Sequence, residues 1–360
     1  MLYAHEVLSS TRETGVRIEV LPLENGEEKK WDDYVYRCSE SGHCHLSGWR
    51  RVIAQSYGHR SHYLCAHENG EIKGVLPLVA MRSFFFRRSL VSVPFLDEGG
   101  ICADNEQARS ELFQEALRLY ENRKTEFLDL RHRHSNNLDF PRAGEKVMMI
   151  LDLTADSDEM WKRFDAKLRN QVRKASKSGL TASWSGREGL SDFYEIFAAN
   201  MRDLGSPVHS HHFFAAILEE FTDSVKLMLV RKNDRVIGGA VCFFFKGSMI
   251  VPWASSLREY FSLCPNNLLY WEMIRWGCEN GYQRFDFGRS SPGSGTYRFK
   301  KQWGAKEEPL HWQCVTRKAG QTAMPHADNR KYRWIIRAWS HLPLSFTKFV
   351  GPLVRSQVSS

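Results

Sequence analysis

Much of this chain is written twice, and a repeat of this length leaves few architectures open. ENGEIKGVLPLVA around Asn69 returns as KNDRVIGGAVCFF around Asn233. SVPF at 92–95 returns as IVPW at 250–253, and FLDLR at 127–131 as FDFGR at 285–289. The spacing between counterparts (Gly74 and Gly238, Pro94 and Pro252, Asp129 and Asp286) shrinks slightly along the repeat, which predicts an extra hairpin segment in the first copy around residues 83–89. So long a period excludes a solenoid. It predicts a duplicated α/β domain, with two similar lobes facing each other across a cleft. The expected boundaries are 1–145 for the first lobe, 146–318 for the second and 319–360 for an aromatic, basic tail.

At 360 residues, 42% hydrophobic and 26% charged, the chain can build two cores and is neither fibrous nor disordered in composition. Lys and Arg total 50 against 42 Asp and Glu, a net charge of +8. That balance favours anionic partners: phosphorylated metabolites, tRNA or an acidic membrane surface. The opening MLYAHEVLSSTRETG has no basic n-region and no apolar h-region, and no window approaches the ~18 apolar residues of a membrane span, so a cytoplasmic protein is expected. The eight cysteines lack CxxC spacing and read as free thiols of a reducing compartment. Histidines gather at 43–45, 131–134 and 209–212 without the closed ligand spacing of a zinc site, so no metal is expected. No Ser-His-Asp or Cys-His set can be singled out.

Asn69-Gly70 between two apolar runs predicts a hairpin with a two-residue turn. Pro265 and Gly281 bracket an expected helix, and the order hairpin, strand, helix, strand describes a mixed α/β core. A further helix is expected over 158–178. There Trp161, Phe164, Leu168, Val172 and Ala175 make an apolar stripe opposite Lys162, Arg163, Lys167, Arg169, Arg173, Lys174 and Lys177. Seven bases against one acid, Asp165, suit the phosphates of a nucleotide-linked donor or of tRNA; a solvated face is the plain alternative.

FDFGRSSPGSGTYRFKKQWGA at 285–305 leads from a strand through a Gly/Ser loop into an aromatic, basic segment read as a strand. Arg289, Lys300 and Lys301 are its candidates for binding a carboxylate, phosphate or oxyanion, against a flexible turn beside a basic strand. RVIGGA at 235–240 fits the R-x-x-G-x-A pattern of coenzyme A pyrophosphate loops, but it runs straight into the strand AVCFFF and reads as a hairpin turn. At the place of such a loop stands SSLREYFSLCPNN, so acyl-CoA as donor finds no support in the sequence. In the tail, Trp334, Ile335, Ala338, Trp339, Leu342 and Leu344 interleave with Arg333, Arg337, Lys348 and Arg355. Such a segment is either a helix docked on the core or an interfacial element lying on anionic lipid at the inner membrane.

The stretches HLSGWRRVIAQSYGH, GVLPLVAM, KLRNQVRKASKSGL, MRDLGSPVHS, NNLLYWEMIRWG and FDFGRSSPGSGTYRFKKQWGA span most of residues 40–315. Together they resemble the Fem family of peptidyltransferases, which add amino acids to peptidoglycan precursors. The resemblance is closer to the FemAB-related proteins found with exopolysaccharide genes in exosortase/PEP-CTERM bacteria. It implies two tandem acetyltransferase-like (GNAT) domains around a central cleft. It also implies transfer of an acyl or aminoacyl group to an amine or hydroxyl of a cell-envelope precursor. Phe299 and Lys300 fall at the family's reaction centre, with Lys300 stabilising a tetrahedral oxyanion or orienting the donor ester. Arg289, Lys167, Arg169, Arg173, Tyr297 and Lys301 form the expected substrate-binding set. The donor would be a co-substrate, aminoacyl-tRNA or acyl-CoA, rather than a resident cofactor. Two rivals stand beside this reading: an acyl-CoA-dependent N-acetyltransferase, and a non-catalytic scaffold in exopolysaccharide assembly anchored by its tail.

Overall fold

The computed structural model describes residues 18–82, 88–136, 144–317 and 330–359. The first copy runs β1 (Glu19–Pro22), α1 (Glu28–Arg37), α2 (Gly48–Tyr57), β2 (Arg60–Glu68), β3 (Glu71–Met81), β4 (Ser89–Ser92), β5 (Cys102–Ala103), α3 (Glu106–Asn122) and β6 (Phe127–His132). It is followed by β7 (Val147–Asp152), α4 (Ser157–Arg163) and α5 (Ala166–Lys177). The second copy then repeats the order with β8 (Leu180–Ser185), α6 (Leu190–Asp203), α7 (His211–Glu220), β9 (Val225–Lys232), β10 (Arg235–Phe245), β11 (Ser248–Ser256), α8 (Pro265–Glu279) and β12 (Arg284–Ser290). The chain closes with α9 (Gly295–Lys301), β13 (Lys306–Pro309), β14 (His311–Thr316), α10 (Arg330–Trp339) and α11 (Leu344–Arg355).

Local chemistry sets these boundaries. The β2–β3 and β9–β10 hairpins both turn on an asparagine with positive φ, Asn69 at 52° and Asn233 at 53°, the backbone that tight turns between twisted strands require. Asn105 caps α3 and Ser210 caps α7, each accepting a free N–H of the first turn. α8 opens on Pro265 and ends before Gly281, whose φ is 76°.

Two seven-stranded mixed sheets result. The first has the order β1-β2-β3-β4-β6-β14, with β5 also paired to β3; the second is β8-β9-β10-β11-β12-β7-β13. Each contains one parallel pair: β4 with β6, ending at Val91↔Asp129, and β11 with β12, ending at Ile250↔Asp286. Beyond those residues the paired strands part, and each sheet opens at the same place. A strand from beyond each copy crosses to the other sheet, β7 directly after the first and β14 after β13 in the second. β7, after β6, pairs with β12; β14, after β12, pairs with β6. The expected second lobe, 146–318, therefore contains a strand that belongs to the first sheet.

Two expected elements differ. The helix anticipated over 158–178 is broken: Phe164 is extended (φ −76°, ψ 148°), and Asp165 restarts the helix by accepting the Leu168 N–H at 2.6 Å. The break turns Phe164 inward beside Leu168, Val172 and Ala175, all buried. The segment around Phe299 and Lys300, read as a strand, is the helix α9, capped by Ser294 on the Tyr297 N–H. The extra hairpin anticipated around 83–89 falls largely on residues outside those described.

Besides a core within each lobe, a further hydrophobic cluster spans both. Trp49 of α2 packs on Phe221 at 5.0 Å and Phe243 at 5.5 Å, and the same cluster runs from Trp31 through Phe213 to Trp253. Each fully buried aromatic of this kind contributes about 1.5–3 kcal/mol, so the cleft sits on a rigid frame. One face of the tail is docked: Thr347 and Gly351 of α11 are buried, and a Cβ on Gly351 would stand 2.9 Å from Val208 Cγ1. The last residues thread back to the first lobe. The carbonyl of Ser359 accepts from the Phe95 N–H at 2.8 Å and from Arg131 Nη2 at 3.0 Å. Among the described residues no helix is long and apolar enough to cross a membrane.

Candidate active site

The opening between β11 and β12 faces the first lobe, and a cavity of ≈ 170 Å³ lies there. Ile250, Trp253, Gly288, Arg289 and Lys300 line it from the second lobe, His43, Asp97 and Glu98 from the first, and Arg355 from the tail.

β12 prepares the second-lobe wall. Asp286 is buried and accepts the Gly288 N–H at 2.7 Å. Gly288 has φ +75°, a conformation that costs glycine little. The resulting turn aims two carbonyls, of Gly288 and Arg289, at Lys300 Nζ, each 2.9 Å away. An ammonium has three N–H donors, so two fix Lys300 in place and one remains for a ligand. Burial lowers the Lys300 pKa to about 8, opposed by the carboxylates of Asp97 and Asp286. The side chain is therefore a desolvated cation at neutral pH.

Across the cavity, Asp97 holds Arg289 twice. Its Oδ1 lies 3.2 Å from the guanidinium Nε, and its Oδ2 accepts the Arg289 backbone N–H at 3.2 Å. Trp312 of β14 donates its indole N–H to the Asp97 carbonyl at 3.0 Å. The guanidinium of Arg289 lies 4.8 Å from the Trp312 ring, and that of Arg131, its counterpart in the first copy, 4.6 Å from the same ring. Arg131 is fully buried and committed to Asp129 and the Leu96 carbonyl. The duplicated position is thus structural in one lobe and faces the cavity in the other.

Arg133 ties the lobes together, contacting Glu98 at 3.2 Å, Asp286 at 3.4 Å and Glu308 at 2.9 Å. Burial pushes the Asp286 carboxyl up to about 6 despite Arg133. Burial lowers His43 to about 4, so its imidazole is neutral at neutral pH. His43, Cys44 and Glu98 bring their ligand atoms within 4.8 Å of one another, a grouping that sequence spacing did not disclose. Because Glu98 is already bound to Arg133, its charge is balanced there, and the group reads as a hydrogen-bonding floor.

Of the residues anticipated from sequence, Lys300 and Arg289 meet at the cavity. Lys300 is buried. Phe299 packs instead on Tyr270 and Trp303, at 5.3 Å and 6.3 Å. Tyr297 and Lys301 both reach Glu307 on the surface, at 2.5 Å and 3.0 Å. Lys167 and Arg173 are exposed on α5, with Arg173 5.4 Å from the Trp161 ring, and the half-buried Arg169 keeps its Nε without a hydrogen-bond partner. None of these six side chains lines the cavity. Sequence reasoning missed Asp97, Glu98, Arg133 and Arg355. A usable signal was the acidic pair in LDEGG, directly after the repeated SVPF. Val93 and Phe95 there hold φ of 47° and 74°, strain of the kind that gathers at functional sites. RVIGGA, read as a hairpin turn, is the start of strand β10, paired with β9 from Arg235 and with β11 from Gly238, and the link from β11 to α8 is a 3-10 turn without glycine.

Comparison with known proteins places this geometry. Residues 162–301 match the model of the acetyltransferase (GNAT) domain, which takes in the β11–β12 opening and Lys300. The fold as a whole is a tandem GNAT arrangement. The structure of FemX superposes with a TM-score of 0.63 at 17% identity, over 83% of this chain and 97% of that one. The C-terminal domain of a protein described as a lysylphosphatidylglycerol synthetase, from Agrobacterium fabrum, gives 0.54 at 12% identity, over 81% and 92%. A tandem GNAT protein of the clavulanic acid pathway gives 0.53 at 10%, over 85% and 100%. Identities this low establish a common fold. No curated protein sequence matches the chain.

Proposed function

We propose that this protein is an acyl or aminoacyl transferase acting on a cell-envelope precursor, with its chemistry in the cavity between the lobes. The observation that carries this reading is the convergence of a fixed lysine ammonium, one donor still free, and an opposing carboxylate at the parted strands of a GNAT sheet. When an amine or hydroxyl attacks an acyl donor, negative charge gathers on the carbonyl oxygen. A preorganised cation in a desolvated site stabilises that charge without having to reorient. Lys300 is such a cation, because two backbone carbonyls hold it. Asp97 on the facing wall takes the proton of the attacking group, and the leaving alcohol or thiol takes a proton as the tetrahedral species collapses. Arg289 keeps Asp97 oriented.

The resemblance to Fem peptidyltransferases and to FemAB-related proteins of exopolysaccharide settings supports an acceptor among peptidoglycan or exopolysaccharide precursors. The exposed bases of α5, on the outside of the same lobe, offer the phosphates of an aminoacyl-tRNA a place to lie. The glycine-free turn before α8 weighs against a coenzyme A pyrophosphate there. Replacing Lys300 by Met should lower transfer from charged tRNA to envelope-precursor fractions by about 100–1000-fold. Undiminished turnover would remove Lys300 from the mechanism. Calorimetric titration with acetyl-CoA separates the donor readings: a low-micromolar site would favour an N-acetyltransferase.

A further inference from the structure

Among the described residues, the exposed large apolar side chains concentrate on the two tail helices. They are Trp334 and Phe349, each 76% exposed, with Ile335, Ile336, Phe346 and Leu353. On α11, Phe346, Phe349 and Leu353 follow helical spacing and form one face. The opposite face is fixed: Thr347 and Gly351 are buried, with Gly351 against Val208, and Lys348 is tied to Glu195. α10 is held as well, since its Ile336 carbonyl lies where a Cβ on Gly205 would stand. The apolar face is therefore held outward by the docking of the other one.

The charge pattern indicates what covers it. From residue 330 to 360 the sequence has no Asp or Glu; Lys348 is spent on Glu195 and Arg355 on the cavity wall, which leaves the four bases of α10, Arg330, Lys331, Arg333 and Arg337. Aromatic and aliphatic side chains on a helix free of acids and rich in cations match the interface of an anionic bilayer, which offers acyl chains below and phosphates at the level of the cations. A second copy of this chain fits poorly, because a twofold contact would bring two acid-free cationic faces together. We propose that α10 and α11 form a docking surface for an anionic phospholipid bilayer. α11, a 12-residue helix about 18 Å long, presents Phe346 near its start and places Arg355 in the cavity wall at its end. The same helix thus reaches from the lipid surface to the cavity. The docking proposal does not depend on the transfer chemistry.

Co-sedimentation of the full chain with vesicles tests it. The protein should bind vesicles of phosphatidylglycerol with phosphatidylcholine, and bind pure phosphatidylcholine vesicles about tenfold or more weakly, with the difference shrinking in high salt. The double substitution Phe349→Ser and Leu353→Ser alters exposed positions only, so the thermal melt should be unchanged while vesicle affinity falls about tenfold or more. Absence of binding by the parent protein, or equal binding by the variant, would overturn the proposal. So would a dimer in light scattering that the variant dissolves while no vesicle binding is seen.

Discussion

A lysine kept charged inside a protein has two opposite pH signatures, and Lys300 should show both. Its folded pKa of about 8 lies below the ordinary lysine value, mainly because of burial. Between pH 8 and the ordinary value near 10.5 the unfolded chain binds the extra proton, so this residue's contribution to stability rises with pH across that window. If the ammonium carries the oxyanion, turnover moves the other way and falls through the same range. The expected outcome is a pH–rate profile that declines above about pH 8 while the thermal melt does not decline with it. Lys300→Arg, always charged, should keep a residual rate without that decline. A parent profile flat to pH 9.5 would contradict the assignment. Resemblance pointed to Lys300; for Asp97 the sequence offered only the acidic pair of LDEGG after the repeated SVPF, because its role depends on an Arg289 partner nearly two hundred positions away that the fold delivers.

The elements show where pattern reading failed and why. The apolar stripe from Trp161 to Ala175 continues through the α4–α5 break, so periodicity alone reads one helix. The break is marked by Asp165, the acid among seven bases, which serves as an N-cap. Asp165→Ala should therefore cost about 1 kcal/mol in urea unfolding, within the usual ~0.5–2 for a lost cap, and should shorten α5 rather than abolish a surface ion pair. The segment of α9 misled for another reason: its aromatic and basic residues suit a strand by composition, while the Ser294 cap that starts a helix is local and small. α11 offers a steric test. Gly351→Leu would push a side chain into Val208, whose backbone N lies 3.1 Å from the added Cβ, so about 1–3 kcal/mol of destabilisation and loss of tail docking are expected by hydrogen exchange.

For the whole molecule, the repeat was legible because two copies of one topology preserve glycine, proline and aspartate where turns and parting strands need them. What held the copies together was not legible. Arg133 gathers carboxylates from both lobes, and its partners Glu98, Asp286 and Glu308 are scattered through the sequence. Arg133→Met would leave buried acids without a counter-charge, which typically costs about 3–5 kcal/mol. The expected result is a lower urea midpoint, with partial recovery at pH 5 as Asp286, whose carboxyl titrates near 6, becomes neutral. The returning strand β14 has a consequence for biosynthesis. As the ribosome delivers the chain, the first lobe cannot finish its sheet until residues 311–316 emerge, long after β6, and β6 waits as an open edge in the meantime. A premature stop codon just ahead of that strand would thus injure the half of the protein that was made earliest.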